Sequence, residues 1–414
     1  MAASAHSAVG QRIFYGWYVV AGTFVVLFLG FGAAYSFSAF FPALRDEFEA
    51  TRGDTALVFS ISGFLYFSLG ALTGPFADRV GPRRVVLAGV VLMSAGLTLA
   101  SQANELWQVY ATYSLGVGVG LGFAYVPTVG AIQRWFVRKR GSASGFGVTG
   151  IGLGTLAIPL LATGLIDAYG WRSAYLVLGI ATLVLGGSAA LLLDHSPQRR
   201  NLWPDGDPSP AGKPGAMATP AAGHTLKEAL HARPFWLLYA AAVTSGFGLF
   251  IPFVHLVPYA KDHGISSALA ALLIGMIGVG STVGRLGIGA AADRFGRRPV
   301  LVAAFALMAA SLAFWLVATS FLLLVLFAIW FGIGYGGYVA LLPAMTADYF
   351  GGRSVGAIIG VLYTGAAFGA LLGPTFAGAV YDLQDSYALP ITFASAMNVI
   401  ATACVFRLRQ PAAR

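Results

Sequence analysis

The chain has 414 residues, 57% of them hydrophobic and only 10% charged, with a formal net charge of +9. Its mean hydropathy is +0.77. A soluble globular chain carries roughly a quarter charged residues, so a soluble enzyme, a disordered chain and a disulfide-stapled secreted domain are all excluded in favour of a polytopic membrane protein.

A spanning helix needs about 20 mostly apolar residues. Twelve stretches qualify, at roughly 15–41, 55–77, 85–102, 106–132, 141–166, 172–193, 234–260, 267–291, 299–318, 320–346, 354–378 and 387–407. The first is too long for a signal peptide and lacks a cleavage site, so it reads as a spanning helix. The single cysteine, Cys404, lies in the last stretch and permits no intrachain disulfide. Residues 194–233 contain Pro197, Pro204, Pro208, Pro210, Pro214 and Pro220 and read as a flexible loop. The end of that loop, Thr225 to Arg233, suits a short amphipathic helix on the membrane surface. The expected organisation is all-α: a six-helix bundle over 1–193, a cytoplasmic linker over 194–233, and a second six-helix bundle over 234–414.

Charge sets the orientation. With the N-terminus inside, 20 of the 25 basic residues fall on the cytoplasmic side and Arg45, Arg52, Arg172 and Lys261 fall outside. That bias places both termini in the cytoplasm. It also explains the net charge without a nucleic-acid partner. The excess of Arg over Lys, with abundant Ala and Gly, is consistent with a high-GC bacterial genome, and the expected location is the plasma membrane, in a bacterium the inner membrane.

Gly74 to Arg84 reads GPFADRVGPRR, and Gly289 to Arg298 reads GAAADRFGRR. Asp78 and Asp293 stand 215 positions apart, and Phe136 and Phe350, in a second matching pair of strings, stand 214 apart. A period recurring at two places indicates a duplicated six-helix unit, and parallel six-helix halves are a transporter architecture.

These paired loops resemble the signature of the major facilitator superfamily, over nearly the whole chain. The resemblance implies the twelve-helix fold of that superfamily, in two pseudo-symmetric bundles. It also implies a conformational latch built from Gly74, Asp78, Arg79, Gly81 and Arg84, and from Gly289, Asp293, Arg294, Gly296 and Arg298. The plainer alternative is a pair of tight turns with orienting charge. Tyr15 to Val20 (YGWYVV), Tyr169 to Tyr175 (YGWRSAY) and Thr225 to Leu237 (TLKEALHARPFWL) are together similar to the oxalate/formate antiporter and monocarboxylate transporter branch.

All 16 acidic residues fall in loops or at helix ends, and Arg285 is the one basic residue inside a spanning stretch. An arginine there costs roughly 2.5–3.5 kcal/mol on the insertion scale and needs a partner. Backbone carbonyls, hydroxyls and water are one answer. The other is the substrate, since a guanidinium matches a carboxylate in a bidentate pair. The resemblance assigns that second role to an arginine in helix 8, here Arg285.

Two departures from the resembled family matter. No lysine occurs in 354–378, so one buried cation favours monoanions over dianions. Ser281 and Tyr35 stand where proton-coupled members carry an aspartate and a lysine, which puts that coupling mechanism in doubt.

Further candidates for the pocket are His255, flanked by Pro252 and Pro258, and Tyr125, Tyr335, Tyr35, Tyr363 and Tyr338 in glycine-rich stretches. Packing is the alternative use of each. Gly116, Gly118, Gly120 and Gly122 alternate along helix 4 and read as close-packing positions.

The expected function is transport of small organic monocarboxylates of the lactate, pyruvate and formate kind by alternating access. No phosphate-binding loop is present, so no ATP, other cofactor or metal is expected and gradients must drive transport. Uniport, anion exchange and proton cotransport all stay open. The expected partners are the carboxylate, protons in the cotransport case, and the lipid bilayer, with a monomer sufficient for transport. The alternatives are a proton-coupled exporter of drugs or other metabolites and, more distantly, a non-transporting membrane sensor. The exporter's usual acid in helix 1 or 4 is missing.

Overall fold

The computed structural model describes residues 14–136, 139–206, 223–351 and 354–408. Side chains at 78, 140–142, 289 and 293 also lie outside the described set. Among the described residues eleven helices are long and apolar enough to cross a membrane, and one of them, Ala143–Leu191, runs for 49 residues. At 1.5 Å per residue this is about 74 Å, more than twice an apolar bilayer core of about 30 Å. Gly170 breaks it with φ 79° and ψ 163°, a conformation that glycine adopts without a Cβ clash. The run is two crossings, which makes twelve.

In chain order these are α1 (Gly16–Glu47), α2 (Arg52–Val80), α3 (Pro82–Ala100), α4 (Leu106–Trp135), α5 (140–169), α6 (171–191), α7 (Arg233–Asp262), α8 (Ser267–Phe295), α9 (Arg297–Trp315), α10 (Phe321–Phe350), α11 (Val355–Gln384) and α12 (Ala388–Phe406). The described chain begins and ends on one side, here the termini face. The other side is the far face. Between α6 and α7 the short helix Leu226–Leu230 forms as expected, because Thr225 and Glu228 close a capping box. The middle of that connection, 207–222, lies outside the described residues.

The duplication is visible in the backbone. Gly81 (φ 98°) ends α2 and Gly296 (φ 89°) ends α8, and the N–H of each donates to the carbonyl four residues back at 2.9 Å. α1 is interrupted at Ser36 and α7 at Phe250, 214 positions apart. The helices form two bundles, α1–α6 and α7–α12, which meet along three seams: α2 on α11, α5 on α8, and the second segments of α1 and α7.

Small residues set those distances. A Cβ on Gly63 would lie 2.9 Å from the Cβ of Ala370, and one on Gly360 would lie 2.8 Å from that of Ala71, so α2 and α11 run nearly backbone to backbone. The alternating glycines of α4 divide between two neighbours. Cβ atoms on Gly116 and Gly120 would meet Gly96 and Gly89 of α3 at 2.4 and 2.5 Å, whereas those on Gly118 and Gly122 would meet Ser62 and Leu69 of α2 at 2.9 and 3.0 Å. Residues four apart share a helix face, so one glycine string serves two close interfaces. Gly116→Val is therefore expected to lower stability by about 1–3 kcal/mol through overpacking. Gly130→Ala, with nothing within 4 Å, should leave it nearly unchanged. Thermal unfolding of the two purified variants in detergent checks the contrast.

Candidate functional site

Where the two bundles meet, Arg285 of α8, Tyr125 of α4, Tyr335 and Tyr338 of α10, and Tyr363 of α11 border one small cavity. Its remaining wall is apolar and includes Phe31 and Ile151 from the first bundle and Leu249 and Ala366 from the second. Its volume is about 30 Å³, room for roughly one water molecule. The α8 register explains the position of Arg285: one side of that helix presses on α10, where a Cβ on Gly284 would lie 2.2 Å from the Ile333 carbonyl oxygen. The adjacent side, carrying Arg285, faces α5.

The guanidinium is used asymmetrically. Nη1 donates to the Val148 carbonyl of α5 at 3.3 Å, a bond between the two bundles. Nε and Nη2 are buried and have no protein partner. Those two nitrogens form one edge of the guanidinium plane, and two parallel N–H donors on one edge suit the two oxygens of a carboxylate. A buried charge with unmet donors is costly. Among the described residues, no carboxylate borders the cavity.

Most of the tyrosines expected at the site come together. Tyr125, Tyr335, Tyr338 and Tyr363 border the cavity, and the Tyr338 hydroxyl is buried without a partner. Tyr35 reaches it only indirectly. Its hydroxyl lies 3.1 Å from that of Tyr335, and its ring stacks on Phe253 at 4.2 Å. Ser281 sits one turn before Arg285 with its hydroxyl buried and unpaired, but does not border the cavity.

His255 is not brought to the cavity. It lies in the far-face seam, its Nε2 2.8 Å from the Pro374 carbonyl and its Nδ1 3.0 Å from the Tyr387 hydroxyl. The Pro374 carbonyl can only accept, so Nε2 donates to it and the Tyr387 hydroxyl donates to Nδ1. The aromatic residues Phe31 and Phe67, also on the wall, were not singled out by sequence. Only the tertiary fold separates them from the other phenylalanines.

In the paired loops, the side chains of Asp78 and Asp293 and position 289 lie outside the described residues. Gly81 and Gly296 make the same turn twice. Arg297 pairs with Asp348 and Arg298 donates to the Phe406 carbonyl, both within the second bundle. Arg83 likewise donates to the Leu193 carbonyl at 2.9 Å within the first. Beyond the cavity, a crevice of about 400 Å³ opens between α2, α4 and the start of α11, bordered by Ala71, Val126, Gly130 and Ser354. The far face shows dense cross-bundle bonding instead. Tyr35 and Tyr335 stand between the cavity and that face. A buried neutral hydrogen bond contributes about 1 kcal/mol. A double-mutant cycle with Tyr35→Phe and Tyr335→Phe should return a coupling of about that size, and additive effects would mean that the bond contributes nothing.

The Major Facilitator Superfamily model matches residues 23–290 and 243–414. Among curated proteins, the chain is 30% identical over 372 residues to Monocarboxylate transporter 12-B of Danio rerio, covering 84% of this chain and 77% of that protein. It is 32% identical over 280 residues to Monocarboxylate transporter 11 of Homo sapiens, covering 68% of this chain but only 57% of that longer protein. The MFS-type transporter pytF of Aspergillus terreus is 31% identical over 287 residues, covering 69% of this chain and 91% of pytF. Among solved structures, a bacterial homolog of the human lysosomal transporter Spinster, inward-facing and unoccupied, matches with a TM-score of 0.70 at 16% identity, covering 95% of this chain and 97% of that one. The chain is a multi-pass membrane protein, and it belongs to the Major Facilitator Superfamily, in the branch of the monocarboxylate transporters.

Proposed function

We propose that this transporter carries small organic monocarboxylates by alternating access, with Arg285 as the ligand of the carboxylate. The free Nε–Nη2 edge of Arg285, buried beside an apolar cavity with no carboxylate among the described residues, supports this most directly. A monoanion cancels the buried charge. A dianion would bring one uncompensated charge into an apolar wall, which is expensive. The tyrosine hydroxyls of Tyr125, Tyr335, Tyr338 and Tyr363 offer neutral contacts to the rest of the substrate. The relatives' own names agree with this substrate class.

The cavity is too small for the substrate in the described state, so the bundles must part before it binds and close around it afterwards. The Nη1 bond to Val148 gives Arg285 a foot in both bundles. Substrate binding and bundle closure therefore act on the same side chain. The 20-to-4 distribution of basic residues supports cytoplasmic termini, which makes the far face extracellular. A single chain supplies both halves of the cavity, and this supports a monomer as the transporting unit. Both ring nitrogens of His255 are already bonded away from the cavity. This favours uniport, exchange or cotransport with the substrate's own proton over a proton borne on His255.

Uptake of labelled lactate, pyruvate, formate and oxalate into proteoliposomes, with and without an inward proton gradient, tests the reading. We expect uptake of at least one monocarboxylate and little of oxalate. Arg285→Ala should reduce uptake by about a hundredfold, as for the loss of a two-bond charged contact. Uptake by folded Arg285→Ala at the wild-type rate would make the arginine structural.

A further inference from the structure

The far face is closed by a bonded cluster in which nearly every partner of one first-bundle residue comes from the second bundle. Arg52 opens α2 and is buried, with 6% of its surface exposed. Its Nη1 and Nη2 lie 2.8 and 2.9 Å from the two oxygens of Asp262, at the end of α7. Nη1 also donates to the Tyr387 hydroxyl at 2.7 Å, and the guanidinium stacks 3.8 Å above the ring of Tyr381.

The backbone joins in. The first N–H groups of a helix have no partner within it. Here the N–H groups of Arg52 and Gly53 donate to the two oxygens of Asp382, at 2.9 and 2.8 Å. A carboxylate from α11 thus caps the positive end of α2 across the seam. His255 holds the last member. The Pro374 carbonyl can only accept, so Nε2 carries the hydrogen and Nδ1 accepts from Tyr387. The Tyr387 oxygen, its own hydrogen so directed, faces Arg52 as an acceptor. His255 is thereby a positioning residue for the cluster.

The duplicated seam lacks this arrangement. Counting by the 215-residue period, Ser267 at the start of α8 corresponds to Arg52, and Asp167 at the end of α5 corresponds to Asp382. At that seam a crevice of about 150 Å³ lies among Asp167, Ser267, Asp46 and Lys261. The cluster is therefore not a by-product of the repeat. We infer that Arg52, Asp262, Asp382 and Tyr387, positioned by His255, form a one-sided lock that holds the far face shut and must be broken for that face to open.

Accessibility tests this without any substrate, so its outcome is separate from the fate of the carboxylate reading. Ser60 is buried two turns inside Arg52 and accepts from Thr375 across the same seam at 3.0 Å. Val126 borders the crevice on the termini face. Ser60→Cys and Val126→Cys, each in a Cys404→Ser background, are labelled with a membrane-impermeant thiol reagent in right-side-out and inside-out vesicles. Adding Asp382→Asn should raise labelling of Ser60→Cys from the far face by about tenfold or more and lower labelling of Val126→Cys from the other, as a population shift requires. Tyr387→Phe, a milder change, should move both in the same directions to a smaller extent. Unchanged rates at both sites, or a rise at both as in simple loosening of the fold, would overturn the lock.

Discussion

A guanidinium edge buried without a protein partner is the constraint on which the rest turns. Arg285 borders a cavity where, among the described residues, no protein carboxylate stands to meet its charge. It satisfies one nitrogen on a backbone carbonyl and leaves an edge of two donors open. Under the proposed reading an anion completes this site, and its apolar, aromatic surroundings favour one charge and a small organic remainder.

The seams set how closely the two bundles approach. Gly63 and Gly360 bring α2 and α11 together against Ala370 and Ala71, and Gly152, Gly275 and Gly278 bring α5 close to α8 against Thr282, Leu156 and Thr155. Small residues let the backbones approach. Bulky pairs such as Phe64 on Phe368 and Phe67 on Tyr363 cross the same α2–α11 seam, and directional bonds are added at one end of it. On the far face they gather at Arg52, whereas a crevice lies open on the termini face. The described state is thus bonded across the α2–α11 seam on one face and creviced on the other.

Much of this architecture could be read from the amino-acid order. Twelve apolar stretches announce twelve crossings because lipid forces every spanning segment to be apolar. The Gly81 and Gly296 turns stand out because a positive φ selects glycine and leaves a repeated string. Arg285 stands out because charge in such a stretch is rare. His255 illustrates the limit. Its flanking prolines suggested a broken, cavity-lining segment, yet the interruption falls at Phe250 and turns the histidine toward Pro374 and Tyr387. The Arg52 cluster was hidden for a related reason: its members lie 210 to 335 positions apart, and each looks like an ordinary loop charge or interfacial tyrosine until the bundles are packed. Phe31 and Phe67 carry no signal at all, since an apolar wall and an apolar core ask for the same residue.

The most direct test is a structure of the transporter with a monocarboxylate bound. The two carboxylate oxygens should lie about 3 Å from Nε and Nη2 of Arg285, the distance of a charged hydrogen bond, with the organic remainder among Tyr125, Tyr335, Tyr338 and Tyr363. A carboxylate bound away from Arg285, or an Arg285 whose free edge has turned onto a protein acceptor, would contradict the account.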